Sequence, residues 1–267
     1  DLDAVIQLKP GTNTCLVRNV HIVGFADKPV PGDTKPDTDI HIEGGIWTTF
    51  GEGNTRGHSS KQAHVHGTHG VILLQNVRHV TVRNITVRRS KAFGVHLANV
   101  RDFTVDGVTL DEHGRDGVHV NGPASDGLIR NVSGVSHDDT VALNAWEWKN
   151  YAPSYGAIHH IIIEDVHGAP DGIPSANSIR LLPGVKRFSD GTTLDCPIHD
   201  ITIRRITDIR DGTSNTLLPF PTTEPGGCFI GGGRANKIET AAPSSVIVGG
   251  DFNALLGDGS VRFIGGG

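Results

Sequence analysis

A short pattern of alternating apolar residues returns along this chain at a fixed distance, and that periodicity limits the possible folds more than any other feature. The pattern runs apolar, any, apolar, polar, then Asn, Asp, Gly or Arg, then apolar, any, apolar. It reads Val80-Thr81-Val82-Arg83-Asn84-Ile85-Thr86-Val87, and 23 residues later Phe103-Thr104-Val105-Asp106-Gly107-Val108-Thr109-Leu110. Further copies occupy 15–22, 40–47, 127–134, 161–168 and 201–208. Between copies lies a shorter strand: Gly94-Val95-His96-Leu97, then Gly117-Val118-His119-Val120, then Thr140-Val141-Ala142-Leu143. After a 15-residue insertion it returns as Ser178-Ile179-Arg180-Leu181, and Gly70-Val71-Ile72-Leu73 belongs to the same column shifted by one residue.

Period-two alternation puts valine, isoleucine and leucine on one face of each strand and polar residues on the other. Neither strand can build a core alone. Stacking each strand on its equivalent one coil away pairs the backbone and buries a continuous ladder of β-branched side chains. The expected fold is therefore all-β: a right-handed parallel β-helix of about 23 residues per coil, covering 1–210. A two-sheet sandwich would not reproduce one step at both strands. Glycine at 35 residues and aromatics at 5% suit such a solenoid. Cys15, Cys196 and Cys228 show no metal-ligand spacing, and Cys15 falls at an inward position, as a buried thiol.

The C-terminal part reads differently. Residues 211–227 are rich in turn formers and form an expected connection. Over 228–267 the glycine-rich runs after Phe229-Ile230, Ile247-Val248 and Phe263-Ile264 recur at steps of 18 and 16, with Asn236 and Asn253 following the first two. These resemble the β-roll repeats of bacterial adhesin heads, which implies a possible trimer; a flexible glycine-rich linker is the alternative.

Net charge is −5, which favours neither nucleic acid nor an acidic membrane surface as partner. No apolar stretch approaches the roughly 18 residues of a membrane span. The chain holds no methionine, as expected of a mature or excised piece that has lost a leader.

Residues at equal offsets in successive coils line up about 4.8 Å apart. Just before the short strand the column holds His69, Phe93, Asp116, Asp139 and Asn177, with Asp138 adjoining. On the outward side it holds His96, His119, Ala142 and Arg180. Carboxyls stacked one coil apart repel, and the repulsion raises one pKa. A carboxyl kept protonated serves as general acid while an ionised neighbour activates water, the division of labour in glycoside hydrolysis. Arg180 suits an anionic sugar through a bidentate contact. On a flat strand Asp138 and Asp139 would face opposite sides, so both can serve one site only where the backbone bends.

Asp116-Gly117, then Asp138-Asp139, then Ser178-Ile179-Arg180 resemble the polygalacturonases, glycoside hydrolase family 28, on the pectin-lyase-like β-helix. The resemblance spans roughly residues 38–185. It implies an inverting hydrolase with Asp138 as general acid and Asp116 with Asp139 activating water. The family's Asn-Thr is replaced by Gly114-Arg115, its Gly-His-Gly motif is missing, and Leu182 stands where it has a lysine. His119 or His159 is the stand-in for the missing histidine.

The insertion 144–158 gathers Trp146, Trp148, Tyr151 and Tyr155, four of the five Trp and Tyr residues of the chain. Beside the aspartates such a loop would offer planes for sugar rings; alternatively it folds back over its own apolar surface. Glu147, among them, is a reserve acid or ligand contact. His64, His66 and His69 lack a completing carboxylate and read as surface or cleft-lining residues. Asn84-Ile85-Thr86 and Asn131-Val132-Ser133 fit the glycosylation pattern but lie in the repeating strand.

The expected function is hydrolysis of a polysaccharide, pectin-like or otherwise acidic, by a secreted or cell-surface protein without a cofactor. A lyase on the same scaffold, with carboxylates holding calcium, is one alternative. A non-catalytic tailspike-like or adhesin-like rod is the other.

Overall fold

The computed structural model describes residues 3–10, 15–20, 34–49, 70–147, 152–168 and 177–207, with the backbone of further strands beyond 215. The chain divides into two compact units, Asp1–Thr207 and Asp208–Gly267. Among the described residues the fold is all-β, and no helix is long and apolar enough to cross a membrane.

In the first unit, β1 (Val5–Gln7), β2 (Val17–Arg18), β3 (Asp37–Glu43) and β4 (Ile46–Thr48) precede three long runs. These are β5 (Gly70–Arg88), β6 (Phe93–His113) and β7 (Val118–Ser136). β8 (Val141–Asn144), β9 (Ile158–His167), β10 (Ile179–Leu182), β11 (Gly184–Arg187), β12 (Thr193–Cys196) and β13 (Ile198–Thr207) follow. All but β11 and β12, which form an antiparallel pair, join one sheet of parallel strands. The arrangement is consistent with a β-helix-like solenoid.

The pairing follows the period read from the sequence. Ile72 lies against Val95 and Val95 against Val118, each 23 residues on, and Val118 pairs with Val141. Past Ala98 and Val100 the step between β6 and β7 gains one residue, so that Phe103 faces Gly127. The inward columns, among them Val80, Val82, Phe103, Val105, Ile129, Ile161 and Ile163, fuse into one buried core. Gly127 sits under the Phe103 ring, where an added Cβ would lie 2.2 Å from Cζ. Only glycine leaves room there.

The Asn, Asp, Gly or Arg position of the repeat is a corner. Asn84, Gly107, Asn131, Asp165 and Arg205 all have positive φ, and they stack on successive rungs. Short polar side chains and glycine tolerate this left-handed backbone best, which explains the composition of the column. A second column of corners holds Asp39, His79, Asp102, Asp126, His160 and Asp200. The two columns bend what would otherwise be continuous strands.

Beside the first corner runs a column of alternating charge: Glu43, Arg83, Asp106, Arg130, Glu164 and Arg204, each paired with the next. Arg130 Nη2 donates to Asp106 Oδ2 at 2.8 Å, and Arg204 Nε to Glu164 Oε2 at 2.6 Å. Opposite charges therefore face each other at every step of this column, which favours the observed stacking.

One reading of the sequence changes. The copy expected at 15–22 belongs with the short strands, because Val17 and Arg18 pair with Ile72 and Leu73. Alternation alone cannot tell a short strand from a long one, and Val20 at 87% exposure leaves the inward column. Cys15 is buried, which pushes its thiol up to about 12.

In the second unit, β14 (Thr216–Leu217), β16 (Asn236–Ile238) and β18 (Asn253–Leu255) form one parallel sheet. β15 (Gly227–Gly231), β17 (Ser244–Val248) and β19 (Arg262–Gly265) form another. β14 lies inside the stretch expected as a connection. Ile230, Ile247 and Ile264 stand in register, so the step is a uniform 17 rather than the 18 and 16 read from the glycine runs.

Candidate functional site

The aspartates occupy the ends of successive rungs. The backbone N–H of Gly94 donates to the Asp116 carbonyl, that of Gly117 to Asp139, and that of Thr140 to Asn177. These bonds fix Phe93, Asp116, Asp139 and Asn177 in one column. At the first rung it is Gly70 that pairs with Phe93. His69, expected there, lies outside the described residues, as do His64 and His66.

Between Ser136, which ends β7, and Val141, which begins β8, the chain bends at His137 and Asp138. Ser136 Oγ donates to the carbonyls of Arg115 and Asp139, 2.7 and 3.2 Å away. The bend turns Asp138 to the same side as Asp139. The carboxylates of Asp116, Asp138 and Asp139 each bring an oxygen within 4.8 Å of the other two.

Each carboxylate has its own partner. Arg115 Nη1 reaches Asp138 Oδ2 at 2.5 Å. Arg180 Nη1 donates to Asp139 Oδ2 at 3.1 Å, and Asn177 Nδ2 to Asp139 Oδ1 at 2.6 Å. His119 Nδ1 lies 2.6 Å from Asp116 Oδ2. The spacing is close enough for a cation's ligands, but the positive charge beside these oxygens is supplied by Arg115 and Arg180. Solvent reaches the cluster through Asp138, Arg115 and Arg180, whose side chains are 21%, 20% and 28% exposed. Asp116 and Asp139 lie beneath them.

Burial and mutual repulsion govern the protonation states. Asp138 is pushed up to about 6, by desolvation first and the Asp116 charge second, with Arg115 pulling the other way. Asp139 is pushed up to about 7 for the same two reasons, with Arg180 opposing. Burial also raises Asp116, against Arg115 and Arg180. Glu147 is raised to about 7 by burial, opposed by the amide of Asn144 that donates to its Oε1 at 2.6 Å. His119 is pushed down to about 3 and His113 to about 4, both chiefly by burial, so both rings stay neutral. The short His119–Asp116 contact is thus a neutral imidazole sharing one hydrogen with a carboxyl, not an ion pair. At near-neutral pH the cluster has both protonated and ionised carboxyls within reach of each other.

The outward column His96, His119, Ala142 and Arg180 pairs in the expected register. It is not a solvent face, however: His96, His119 and Ala142 are buried. Phe93 stacks on His119 with centroids 3.8 Å apart, Glu147 Oε1 lies 3.6 Å from His119 Nε2, and nearby Gln75 Nε2 donates to the Pro153 carbonyl. His96 donates from Nε2 to Asn121 Oδ1 within this layer and presents no surface to a ligand.

Tyr155 also departs from the expected sugar platform. It packs into the apolar core at 6% exposure, and the Lys186 ammonium lies 4.5 Å over its ring. The apolar rung ends beneath the insertion gain more from that cover than an exposed ring would. Trp146 is partly buried, its ring against the Gly184 backbone. Trp148 and Tyr151 lie outside the described residues. His159 belongs to another edge, its ring stacked on His199 at 5.1 Å and its Nδ1 2.7 Å from that of His160. It does not stand in for a histidine at the aspartates.

Arg115, Asn177, Asn144 and Phe93 complete the site; Phe93 and Asn177 stand in the column read from the sequence without an assigned role, and Asn144 is not part of that reading. Arg115 carried a signal, since it occupies a position where the sequence departs from the polygalacturonase motif. Asn144 continues the column of Asn121, whose Nδ2 donates to its carbonyl.

No family model matches this sequence, and neither curated proteins nor solved structures include a detectable relative.

Proposed function

We propose that the chain hydrolyses glycosidic bonds of a polysaccharide outside the cell, on a right-handed parallel β-helix of about 23 residues per coil. One observation carries the reading: three carboxyls from two adjacent rungs converge, and the most exposed of them holds its proton to about pH 6. Asp138 is the general acid, because it alone of the three reaches solvent and so a leaving-group oxygen. Asp116 takes the proton of the attacking water, and Asp139, which holds its own proton to about pH 7, orients that water. Arg115 and Arg180, at the surface beside them, favour a glycan carrying carboxylates. The oxygens lie closer than the roughly 6.5–9.5 Å gap of inverting enzymes. Inversion, which the polygalacturonase resemblance implies, therefore requires substrate to part Asp138 from Asp116 and admit water.

The test is incubation with neutral and acidic polysaccharides, following reducing ends, ultraviolet absorbance and the anomer released first. New reducing ends without absorbance support hydrolysis. An unsaturated, absorbing product assigns the chain to the lyases instead.

A second reading has one observation in its favour. Every cluster carboxyl already has a protein partner, as in a structural ion-pair network on a carbohydrate-binding rod. Saccharide binding without turnover would select it.

A further inference from the structure

We infer that His119 is a positioning residue which holds Asp116 ready to accept a proton, and that Glu147 sets the tautomer of His119 that does so. The inference rests on the proposed hydrolytic role of Asp116.

Asp116 faces a physical difficulty. Its side chain is 3% exposed, and burial favours the neutral acid, which cannot accept a proton from water. A hydrogen-bond donor at the carboxylate opposes that tendency. His119 Nδ1, 2.6 Å from Oδ2, is placed to be that donor. A neutral imidazole has only one N–H, however, so it donates to Asp116 only when the hydrogen sits on Nδ1 rather than Nε2.

What faces Nε2 therefore decides. Glu147 Oε1 lies 3.6 Å from it, so an approach of about 0.5 Å makes a hydrogen bond. A protonated Glu147 donates to Nε2 and leaves the hydrogen on Nδ1. An ionised Glu147 draws the hydrogen to Nε2 and deprives Asp116 of its donor. Glu147 is 12% exposed and burial holds it protonated to about pH 7, which favours the first state. Asn144 anchors Glu147 at 2.6 Å, and Phe93 lies stacked on the His119 ring at 3.8 Å. The insertion, rich in aromatic residues, thus delivers one acid to the far side of a histidine.

The positively charged groups facing His119 and Asp116 are Arg115 and Arg180, and the acidic ones are Asp138, Asp139 and Glu147. The two arginines oppose protonation of both residues in any tautomer. The Asn121 side chain also reaches His119, and the His96 ring stands edge-on to it at 5.0 Å, with its Nε2 donating to Asn121 Oδ1. The arginines cannot select between Nδ1 and Nε2, and among the acidic groups it is Glu147 that faces Nε2.

The test has two arms. In the first, ¹⁵N NMR of histidine-labelled protein at pH 6 reads the tautomer of His119 without any substrate. Hydrogen on Nδ1 is expected, and Glu147→Ala loses the bias whereas Glu147→Gln, whose amide still donates, keeps it. Hydrogen on Nε2 in the wild type overturns the inference whether or not the protein is an enzyme. In the second arm, with a cleavable polysaccharide, Glu147→Ala lowers kcat about tenfold with KM unchanged and moves the acid limb of the pH profile upward. Glu147→Gln restores both, and His119→Phe, which keeps the stack on Phe93, reproduces the loss. Equal activity and an unmoved acid limb in Glu147→Ala also overturn it. A wild type that turns over no glycan yet carries its hydrogen on Nδ1 sinks the hydrolase reading while the tautomer assignment stands.

Discussion

Arg115 holds Asp138 by a 2.5 Å contact from Nη1 to Oδ2, although the two residues stand on different rungs of the sheet. The guanidinium lies 5.5 Å over the Phe93 ring, which fixes it from one side. It lowers the Asp138 pKa against burial and the Asp116 charge, which raise it. Replacing Arg115 by Gln removes the only one of these influences that lowers the pKa through direct contact. The alkaline limb of the pH–rate profile, which reports loss of the acid's proton, moves upward by about one unit. A limb that stays in place would show that Asp138 is not the group titrating there.

The same raised carboxyls make stability depend on pH. Asp138, Asp139 and Glu147 bind protons more tightly folded than unfolded, so the folded state takes up protons between their ordinary pKa range and about 7. Stability contributed by the cluster is full below pH 4 and lost as pH rises through about 7. Asp39 is lowered by its hydrogen bond with Thr38, and Asp106, Glu164 and Asp165 by those with Arg130, Arg204 and Arg205, so their contribution is lost as pH falls below 4. Thermal melts from pH 5 to 8 should show a falling midpoint. Asp139→Asn should flatten that fall, and an unchanged slope would remove Asp139 from the account.

Gly127 and Phe103 test the core. A side chain at 127 meets the Phe103 ring, so Gly127→Val costs about 1–3 kcal/mol in denaturant unfolding. Pairing it with Phe103→Leu, which opens the same space, recovers part of the loss. No recovery would mean the glycine is needed for its backbone instead.

The alternating column tests the register. Asp106→Lys places three positive charges on consecutive rungs, Arg83, the new lysine and Arg130. It should destabilise the first unit by about 1 kcal/mol or more, and more than Asp106→Asn does. Added salt should narrow the difference. Equal effects at all salt concentrations would make the alternation incidental.

The strand columns were legible because burial forces a repeat. Val82, Val105 and Ile129 occupy one interior column, and each replacement by a polar residue would be costly, so their spacing survives in the sequence. The corners were half legible. Asn84 and Asn131 belong to residue types that tolerate positive φ, whereas His79 and His160 at the second corner do not advertise their backbone. The convergence of Asp116 with Asp139 followed from equal offsets, but Asp138 joined them through a bend held by Ser136, which no periodicity encodes. Arg115 is visible in the sequence only as a departure from the polygalacturonase motif, because its partner Asp138 lies on the next rung. The aromatic insertion misled for a different reason: composition shows that Tyr155 is a plane, not whether Lys186 and the core already cover it. The outward column was placed in the right register yet read as a solvent face, since a covering layer formed by Phe93 and an insertion leaves no trace in period two.

The central claim is that three carboxyls meeting at the ends of two rungs cleave a glycan, with Asp138 giving the proton. The most direct measurement is initial-rate release of reducing ends from an acidic polysaccharide by the wild type and by Asp138→Asn, with circular dichroism confirming equal folding. The account predicts turnover by the wild type and a loss of at least about a hundredfold in kcat for the variant. A folded Asp138→Asn that cleaves as fast as the wild type would contradict it.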